Sequence, residues 1–527
     1  MKLLTLGLIL DSPFQPKPTL ELIHWLEENP HIEVRKFFLN TDINKKNFLR
    51  RNIWNIIIYI EKLFFSYYFE LFSDTSLDLR KYTFLEPLVI NSDNFEKTDE
   101  YRIIKSKEID LFFKLNFDEE IENLCKLSRH GLLSIYARLP SKKLNKSPNA
   151  FNEVLMKSNK TGFSLIHQKE LNADIGIVFQ GAFPTHNYFF ANKMNLMKRR
   201  NIYIQNHLSF FIKNKFFKNY YTDHSYSFSK LEVAPLLSEQ IRYSISISYR
   251  LFKKILKKFF FHQSHWSVGL YFSNWKNFKF NEANIIQNPK DCFLADPFIF
   301  SFAGRDYCFL EEYSFKKSIG TIVVYEISPD KVSRVGCAIN ESFHMSFPFI
   351  FEFEGGIYML PETSANNDIR IYKATEFPIK WELKKILMKD VFAVDSMIFF
   401  HNGLWWLFSN INPDHGTDAC SDLKIFFAKH PFSEVWIEHP LNPLIVDSEL
   451  ARNAGIIIDK NEIFRVSQKQ TFDMYGGEFQ INKINLLDTE NYSESLIYSF
   501  SPRQIRNSKA AHHFHGKGEI TAFDFLK

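Results

Sequence analysis

A short apolar motif that recurs between residues 295 and 457 constrains this chain more than any other feature. Ala295-Asp-Pro-Phe-Ile-Phe300 is echoed by Ser346-Phe-Pro-Phe-Ile-Phe351, Val394-Asp-Ser-Met-Ile-Phe399 and Arg452-Asn-Ala-Gly-Ile-Ile457. Each copy opens an apolar strand, then a turn, then a second strand rich in aromatic or aliphatic residues. The turns carry Gly304, Gly355-Gly356, Asn402-Gly403 and Asn461, residue types that supply the positive φ of a tight hairpin. The copies fall into register at positions 296, 347, 395 and 453, and a further step of about 60 residues reaches His513. Five units of about 50 residues, each mostly antiparallel strand, predict a five-bladed β-propeller over residues 286–527. An irregular β-sandwich is the competing architecture.

In a propeller the leading residues of the first strands meet at the central pore. Those positions hold Asp296, Phe347, Asp395, Asn453 and His513, with His344, Arg452, His512 and His515 close in sequence. Glu312 and Glu362 close the second strands of the first two units, and Trp405 and Trp406 begin that of the third. Carboxylates accept hydrogen bonds from sugar hydroxyls, and aromatic faces stack on sugar rings. Two facing carboxylates could also carry out acid–base chemistry on a glycosidic bond. The alternative is that these polar groups pair with one another and close the pore. Three histidines within residues 512–515 raise a zinc site, but strand alternation turns His512 away from His513 and His515, so no metal is expected.

Residues 1–190 alternate apolar runs with helical spacing. Strands are expected at 3–10, 32–39, 109–115, 132–136, 163–167 and 175–179, and a helix at 19–28. This predicts a Rossmann-like α/β domain with a mostly parallel sheet, whose ligands would sit at the carboxyl ends of its strands. The apolar stretch 53–72 contains Glu61, Lys62 and Glu70, which predicts a buried helix rather than a membrane span. The opening residues lack a small-residue cleavage site and read as a strand, not a signal peptide. Residues 191–285 form a basic, aromatic, helical connector. Within it, 241–261 sets Lys253, Lys254, Lys257 and Lys258 beside Leu251, Phe252, Ile255 and Leu256. That pattern suits peripheral contact with an anionic membrane surface or a connecting helix with solvated lysines.

A formal net charge of +5 over 527 residues is too small to imply nucleic-acid binding. Neither G-x-G-x-x-G nor a P-loop is present among the 18 glycines. Five cysteines without a C-x-x-C pair suit a reducing compartment, hence a cytoplasmic location or the inner face of a membrane.

The third part resembles the superfamily of five-bladed arabinanases, invertases and levansucrases. Within it, the nearest likeness is to the N-terminal propeller of plant glucosamine inositolphosphorylceramide transferases. The strings that carry it are Leu294-Ala-Asp-Pro-Phe298, Phe309-Leu-Glu-Glu312, His344-Met-Ser-Phe-Pro348, Tyr358-Met-Leu-Pro-Glu-Thr363, Asp395-Ser396 with Leu404-Trp-Trp-Leu-Phe408, and Asn442-Pro443 ahead of Ala451-Arg452. The resemblance implies a glycoside hydrolase family 43-like fold, with Asp296 and Asp395 as its two catalytic aspartates. At the position of that superfamily's blade-four glutamic acid stands Ala451-Arg-Asn453, which leaves hydrolysis without its proton donor. The expected substrate-binding residues are Glu312, His344, Glu362, Trp405, Arg452 and His513.

The first part resembles the formyltransferases that use formyl-tetrahydrofolate. Gly131-Leu-Leu-Ser-Ile-Tyr-Ala-Arg-Leu-Pro140, Thr161-Gly-Phe-Ser-Leu-Ile166 and Leu171-Asn-Ala-Asp-Ile-Gly176 carry that likeness. Asp174 matches the family's catalytic aspartate. Ser134 stands where the family has Asn, and Tyr136 where it has His; a tyrosine with an ordinary pKa near 10 is a poor base. The resemblance thus implies a degenerate domain, with formyl-tetrahydrofolate as cofactor only if it is active. Three functions remain open: an enzyme of surface-polysaccharide or glycolipid biosynthesis acting on a sugar, nucleotide sugar or glycolipid; a glycan-binding partner of a separate glycosyltransferase; and an amino-sugar N-formyl- or acyltransferase with an altered site.

Overall fold

The computed structural model describes residues 3–39, 48–64, 75–86, 90, 92, 94–115, 121–136, 148, 150–170, 176–217, 221–222, 234–259, 265–411, 418–505 and 508–527. The chain divides into two compact units, Met1–Phe260 and Phe261–Lys527. The stretch 191–285 does not stand as a unit of its own. Its helix Phe189–Asn214 packs on the strand Lys160–Gln168 and the helix Lys17–Glu28 of the first unit. Its strand Trp266–Tyr271 pairs with Ile520–Leu526 near the C-terminus, so the propeller begins about twenty residues earlier than the repeat indicates.

The first unit is built on one eight-stranded sheet. Leu4–Leu10 lies inside it, parallel to both Ile32–Leu39 and Leu111–Lys114. Its run LTLGLIL is almost wholly buried, as expected of a strand covered on both faces. Thr83–Leu85 and Leu132–Tyr136 extend the parallel part. Lys160–Gln168, Gly176–Pro184 and Tyr221–Thr222 continue it antiparallel, so the sheet is mixed. The strands Lys160–Gln168 and Gly176–Pro184 are separated by seven residues in sequence, fewer than the dozen or more that a parallel crossover takes. The helix Phe48–Phe64 is not buried as expected. It buries Trp54 and Glu61 but leaves Ile56, Tyr59 and Leu63 in solvent.

The second unit is a five-bladed propeller. Four blades follow in chain order, beginning with the strands Cys292–Phe302, Ser346–Phe353, Ala393–His401 and Asn453–Asp459. The fifth joins both ends of the unit, in the order Asn284–Ile285, Trp266–Tyr271, Ile520–Leu526, Phe514–Lys517. Pairing the first strand with the last within this blade closes the ring, and the radial arrangement leaves only short blade edges. The blades pack through aromatic clusters; Phe298, Phe347 and Phe349 meet where blade one touches blade two.

Candidate active site at the propeller centre

Each inner strand of the first three blades is bulged at the register position. Pairing slips between Ala295 and Phe298, between Ser346 and Phe349, and between Val394 and Met397. The first slipped residues, Asp296, Phe347 and Asp395, all take left-handed φ, 51°, 46° and 48°. A non-glycine residue there costs about 1–2 kcal/mol. In exchange the bulge re-aims a side chain that regular pleating would commit to one face. Blade four slips after Asn453, so its matching residue is Ala454, one beyond the sequence register, and Gly455 takes the positive φ.

The bulges bring Asp296 and Asp395 into one buried polar network. On one side, Asp296 Oδ2 accepts the Phe347 N–H at 3.2 Å, and His512 Nε2 lies 3.5 Å from Asp296 Oδ1. His512 Nδ1 contacts Asp524 Oδ1 at 2.7 Å. On the other side, Arg452 Nε donates to Asp395 Oδ2 at 2.6 Å, and the Asp395 N–H donates to Glu362 Oε2 at 3.3 Å. Gln468 Nε2 also donates to Asp395 Oδ2, at 3.3 Å. Tyr475 links the halves, with the Arg452 guanidinium 5.0 Å from its ring centre and the His512 ring 5.6 Å away. It is 44% exposed, whereas the carboxylates, Arg452 and His512 are buried.

The charges do not balance. Asp296, Glu311, Glu362, Asp395 and Asp524 face two cationic groups, Arg452 and His512. Burial therefore pushes Asp296 up to about 7, aided by Asp524 and Asp395 and opposed by His512. Burial also pushes Asp395 up to about 7, against the pull of Arg452 and with the help of Glu362. Glu311 is driven well above the carboxylate range by burial and then by the charges of Asp296 and Glu362. Burial disfavours the charged form of His512, but Asp524 and Asp296 outweigh it and raise its pKa. The centre thus holds one carboxyl group, Glu311, pushed well above the carboxylate range beside two, Asp296 and Asp395, pushed up to about 7, a spread that suits acid–base chemistry.

Glu311, not Glu312, is the blade-one partner of Glu362. Glu311 pairs with Ala295 as Glu362 pairs with Ser346. Glu312 lies on the opposite face of its strand, where Arg334 Nη2 donates to it at 3.2 Å. The signal was available: positions 296 and 347 are 51 residues apart, and so are 311 and 362. Gly320 makes room for Glu311, since a Cβ there would come within 2.6 Å of its Oε1. His344 stands beside it, with Nε2 3.7 Å from Glu311 Oε1 and Nδ1 accepting the Gly320 N–H at 2.9 Å.

Trp405 is not brought to the centre. It pairs with Phe400 at the far end of the strand Leu404–Ile411, whose residue nearest the site is Asn410. Five residues at about 3.3 Å each separate them, and Trp405 packs on Phe351 and Phe353 instead. The aromatic groups that do reach the site are Tyr475 and Trp266, whose ring lies 4.0 Å from that of His512. Both fall outside the repeated motif. Tyr475 is held there by Gly476, where a Cβ would approach that of His512 to 2.4 Å. His513 is fully buried between Phe298 and Phe347, and His515 Nδ1 accepts the Ile299 N–H at 3.1 Å. Burial lowers the pKa of both, so both are neutral supports.

Asp296, His512 and Asp524 place ligand atoms within 4.8 Å of one another, close enough for a cation. Asp524 is already committed, however. Its Oδ1 accepts the His512 and His513 N–H groups, and its Oδ2 that of Asp296. Those bonds tie blade five to blade one and account for the carboxylate without a metal.

In the first unit, Ser134 and Tyr136 lie two residues apart on Leu132–Tyr136. The Lys114 ammonium stands 3.4 Å from the Tyr136 hydroxyl. Asp174 lies outside the described residues. The sequence reading did not single out Lys114, a buried cation at the carboxyl end of its strand.

Residues 280–519 match the family glucosamine inositolphosphorylceramide transferase 1, N-terminal. Over 208 residues the chain is 35% identical to glucosamine inositolphosphorylceramide transferase 1 of Oryza sativa subsp. japonica, covering 38% of this chain and 27% of that protein. The same-named protein of Arabidopsis thaliana is 32% identical over 245 residues, 44% of this chain and 31% of that one. The chain therefore spans less than a third of these relatives. Among solved structures, a family 117 glycoside hydrolase of Zobellia galactanivorans aligns with a TM-score of 0.33 at 11% identity, over 50% of this chain and 90% of that one. The Cellvibrio cellulosa α-L-arabinanase aligns with a TM-score of 0.29 at 15% identity, over 38% and 77%. The likeness to the transferases' N-terminal propeller, read from the sequence, is borne out.

Proposed function

We propose that the propeller centre is the sugar site of a carbohydrate-active protein working in glycolipid or surface-polysaccharide assembly. The observation that carries this reading is the pair Asp296 and Asp395. They occupy equivalent bulges in blades one and three, and both are raised to about 7. A sugar, nucleotide sugar or glycolipid headgroup would stack on Tyr475 and give its hydroxyl hydrogens to these carboxylates. Glu311, which holds its proton, would donate where the superfamily's blade-four acid is missing. The relatives' name, glucosamine inositolphosphorylceramide transferase 1, supports the glycolipid class. The first unit serves as a degenerate formyltransferase-like domain: Ser134 and Tyr136, beside Lys114, supply no neutral base at the expected position. Five free cysteines favour action at the cytoplasmic side.

A second reading is favoured by Arg452. Its 2.6 Å contact with Asp395 ties up one of the two aspartates, which suits a binding module serving a separate glycosyltransferase. Wild type and Asp296→Asn should be incubated with nucleotide sugars and glycolipid precursors, and the product masses read. A mass increment made by wild type and lost in the variant supports an enzyme. Retention of a glycan without any increment supports the binding module. Neither increment nor retention would sink both readings.

A further inference from the structure

We propose that the first unit docks on an anionic lipid surface through the paired helices Phe48–Phe64 and Leu237–Phe259. On the first helix, Leu49, Ile53, Ile56, Tyr59, Ile60 and Leu63 are 36–67% exposed. Their spacing puts them on one stripe, opposite the buried Trp54 and Glu61. On the second, Ile241, Ile245, Tyr249 and Phe252 are 59–65% exposed, opposite the buried Gln240 and Tyr243. Single exposed apolar side chains are ordinary, whereas ten on two neighbouring helices form a patch that calls for a partner. The two helices border a cleft lined by Ile57 and Ile60 from one and by Ser244, Ser248 and Leu251 from the other. Ile60 belongs to both stripe and cleft.

Charge selects the partner. The first helix carries Arg50, Arg51 and Lys62 against Glu61. The second carries Arg242, Arg250, Lys253, Lys254, Lys257 and Lys258 against Glu239. Nine cations less two carboxylates give +7 on these two helices by sequence, more than the +5 of the whole chain. Arg50 and Arg250 donate inward to the Pro235 and Asn187 carbonyls, and the rest of the excess is what a partner would meet. Apolar stripes accompanied by lysine and arginine are the signature of helices lying in a membrane interface, with apolar residues among acyl chains and cations at anionic headgroups. Among the described residues, no helix is long and apolar enough to cross a membrane, so the contact is peripheral. The inference does not depend on the sugar site.

The test is co-sedimentation of the full chain with vesicles of phosphatidylcholine alone or mixed with phosphatidylglycerol. Wild type is expected to bind the anionic vesicles at least about tenfold more tightly, with the difference reduced by salt. The double variant Ile245→Glu/Phe252→Glu should lose about tenfold or more. Val435→Glu, an exposed control on the propeller, should change nothing. A retained circular-dichroism melt would show that the double variant still folds. Absence of vesicle binding, or binding untouched by the double variant, would overturn the proposal. So would a dimer in solution that the double variant dissolves, since a second copy would then cover the patch.

Discussion

At their inner bulges, blades one and two share a backbone conformation and differ in the side chain it carries. Both have the bulge, both have left-handed φ at the register residue, and both set a glutamate, Glu311 or Glu362, across from the residue before it. At the bulge, blade one has Asp296, drawn into the polar network, and blade two has Phe347, packed on Phe298 and His513. The strained turn therefore belongs to the fold, because an apolar residue tolerates it equally well. The carboxylate belongs to the site, because it adds buried negative charge that the fold does not need. Blade three repeats the aspartate, and there Arg452 offsets it.

That contrast can be broken most severely at Arg452. Arg452→Met should destabilise the propeller by about 3–5 kcal/mol in urea denaturation, since it leaves Asp395 and Glu362 without their cation. Combining it with Asp395→Asn should recover most of the loss. Giving blade two the chemistry of blade one is the next largest change. Phe347→Asp should cost about 3 kcal/mol, from a lost ring and a further buried carboxylate with no partner.

A smaller effect of opposite sign is expected at Asp296. Its carboxyl titrates near 3.8 unfolded and about 7 folded, so the folded state binds the extra proton between those values. The stability this confers is full below about pH 4 and is lost as pH rises through about 7. Asp296→Asn should flatten that fall and raise stability at pH 8 by on the order of 1–2 kcal/mol, read from melting curves across the range. The smallest effect sharpens the contrast between neighbours. Glu312→Gln should stay within about 0.5 kcal/mol, whereas Glu311→Gln, nearly neutral for folding because the carboxyl is already pushed toward its protonated form, should keep glycan retention and abolish any product-mass increment.

The repeat made the propeller legible because each blade must place an apolar strand and a tight turn in the same order. It also pointed to Asp296, Asp395, Glu362 and Arg452, which the structure gathers into one buried polar network. It reached blade five at His513 but missed that blade's other half, Trp266–Tyr271 and Asn284–Ile285, which joins Ile520–Leu526 from nearly 250 residues away. It misjudged Glu311 because two adjacent glutamates look alike until strand alternation sends them to opposite faces. Trp405 drew attention by its chemistry, but its place along the strand puts it in the core. Tyr475 and Trp266 carry no repeat signal, since one sits at the start of the strand Met474–Leu487 and the other on the closing strand Trp266–Tyr271, outside the repeated motif. In the first unit the strands 4–10, 32–39, 111–114, 132–136, 160–168 and 176–184 were readable from apolar runs, while the antiparallel direction of Gly176–Pro184 followed from its short connection to Lys160–Gln168. The exposed stripe of Phe48–Phe64 was hidden because apolar content alone does not say which face meets the core.

The most direct test of the central claim is retention on an immobilised panel of glycans and glycolipid headgroups at pH 7, comparing wild type, Asp296→Asn, Tyr475→Ala and Glu312→Gln. A sugar site at the propeller centre predicts that wild type and Glu312→Gln retain the same glycan, while Asp296→Asn and Tyr475→Ala lose it by tenfold or more, about 1.4 kcal/mol. Equal retention by all four, or by none, would contradict it.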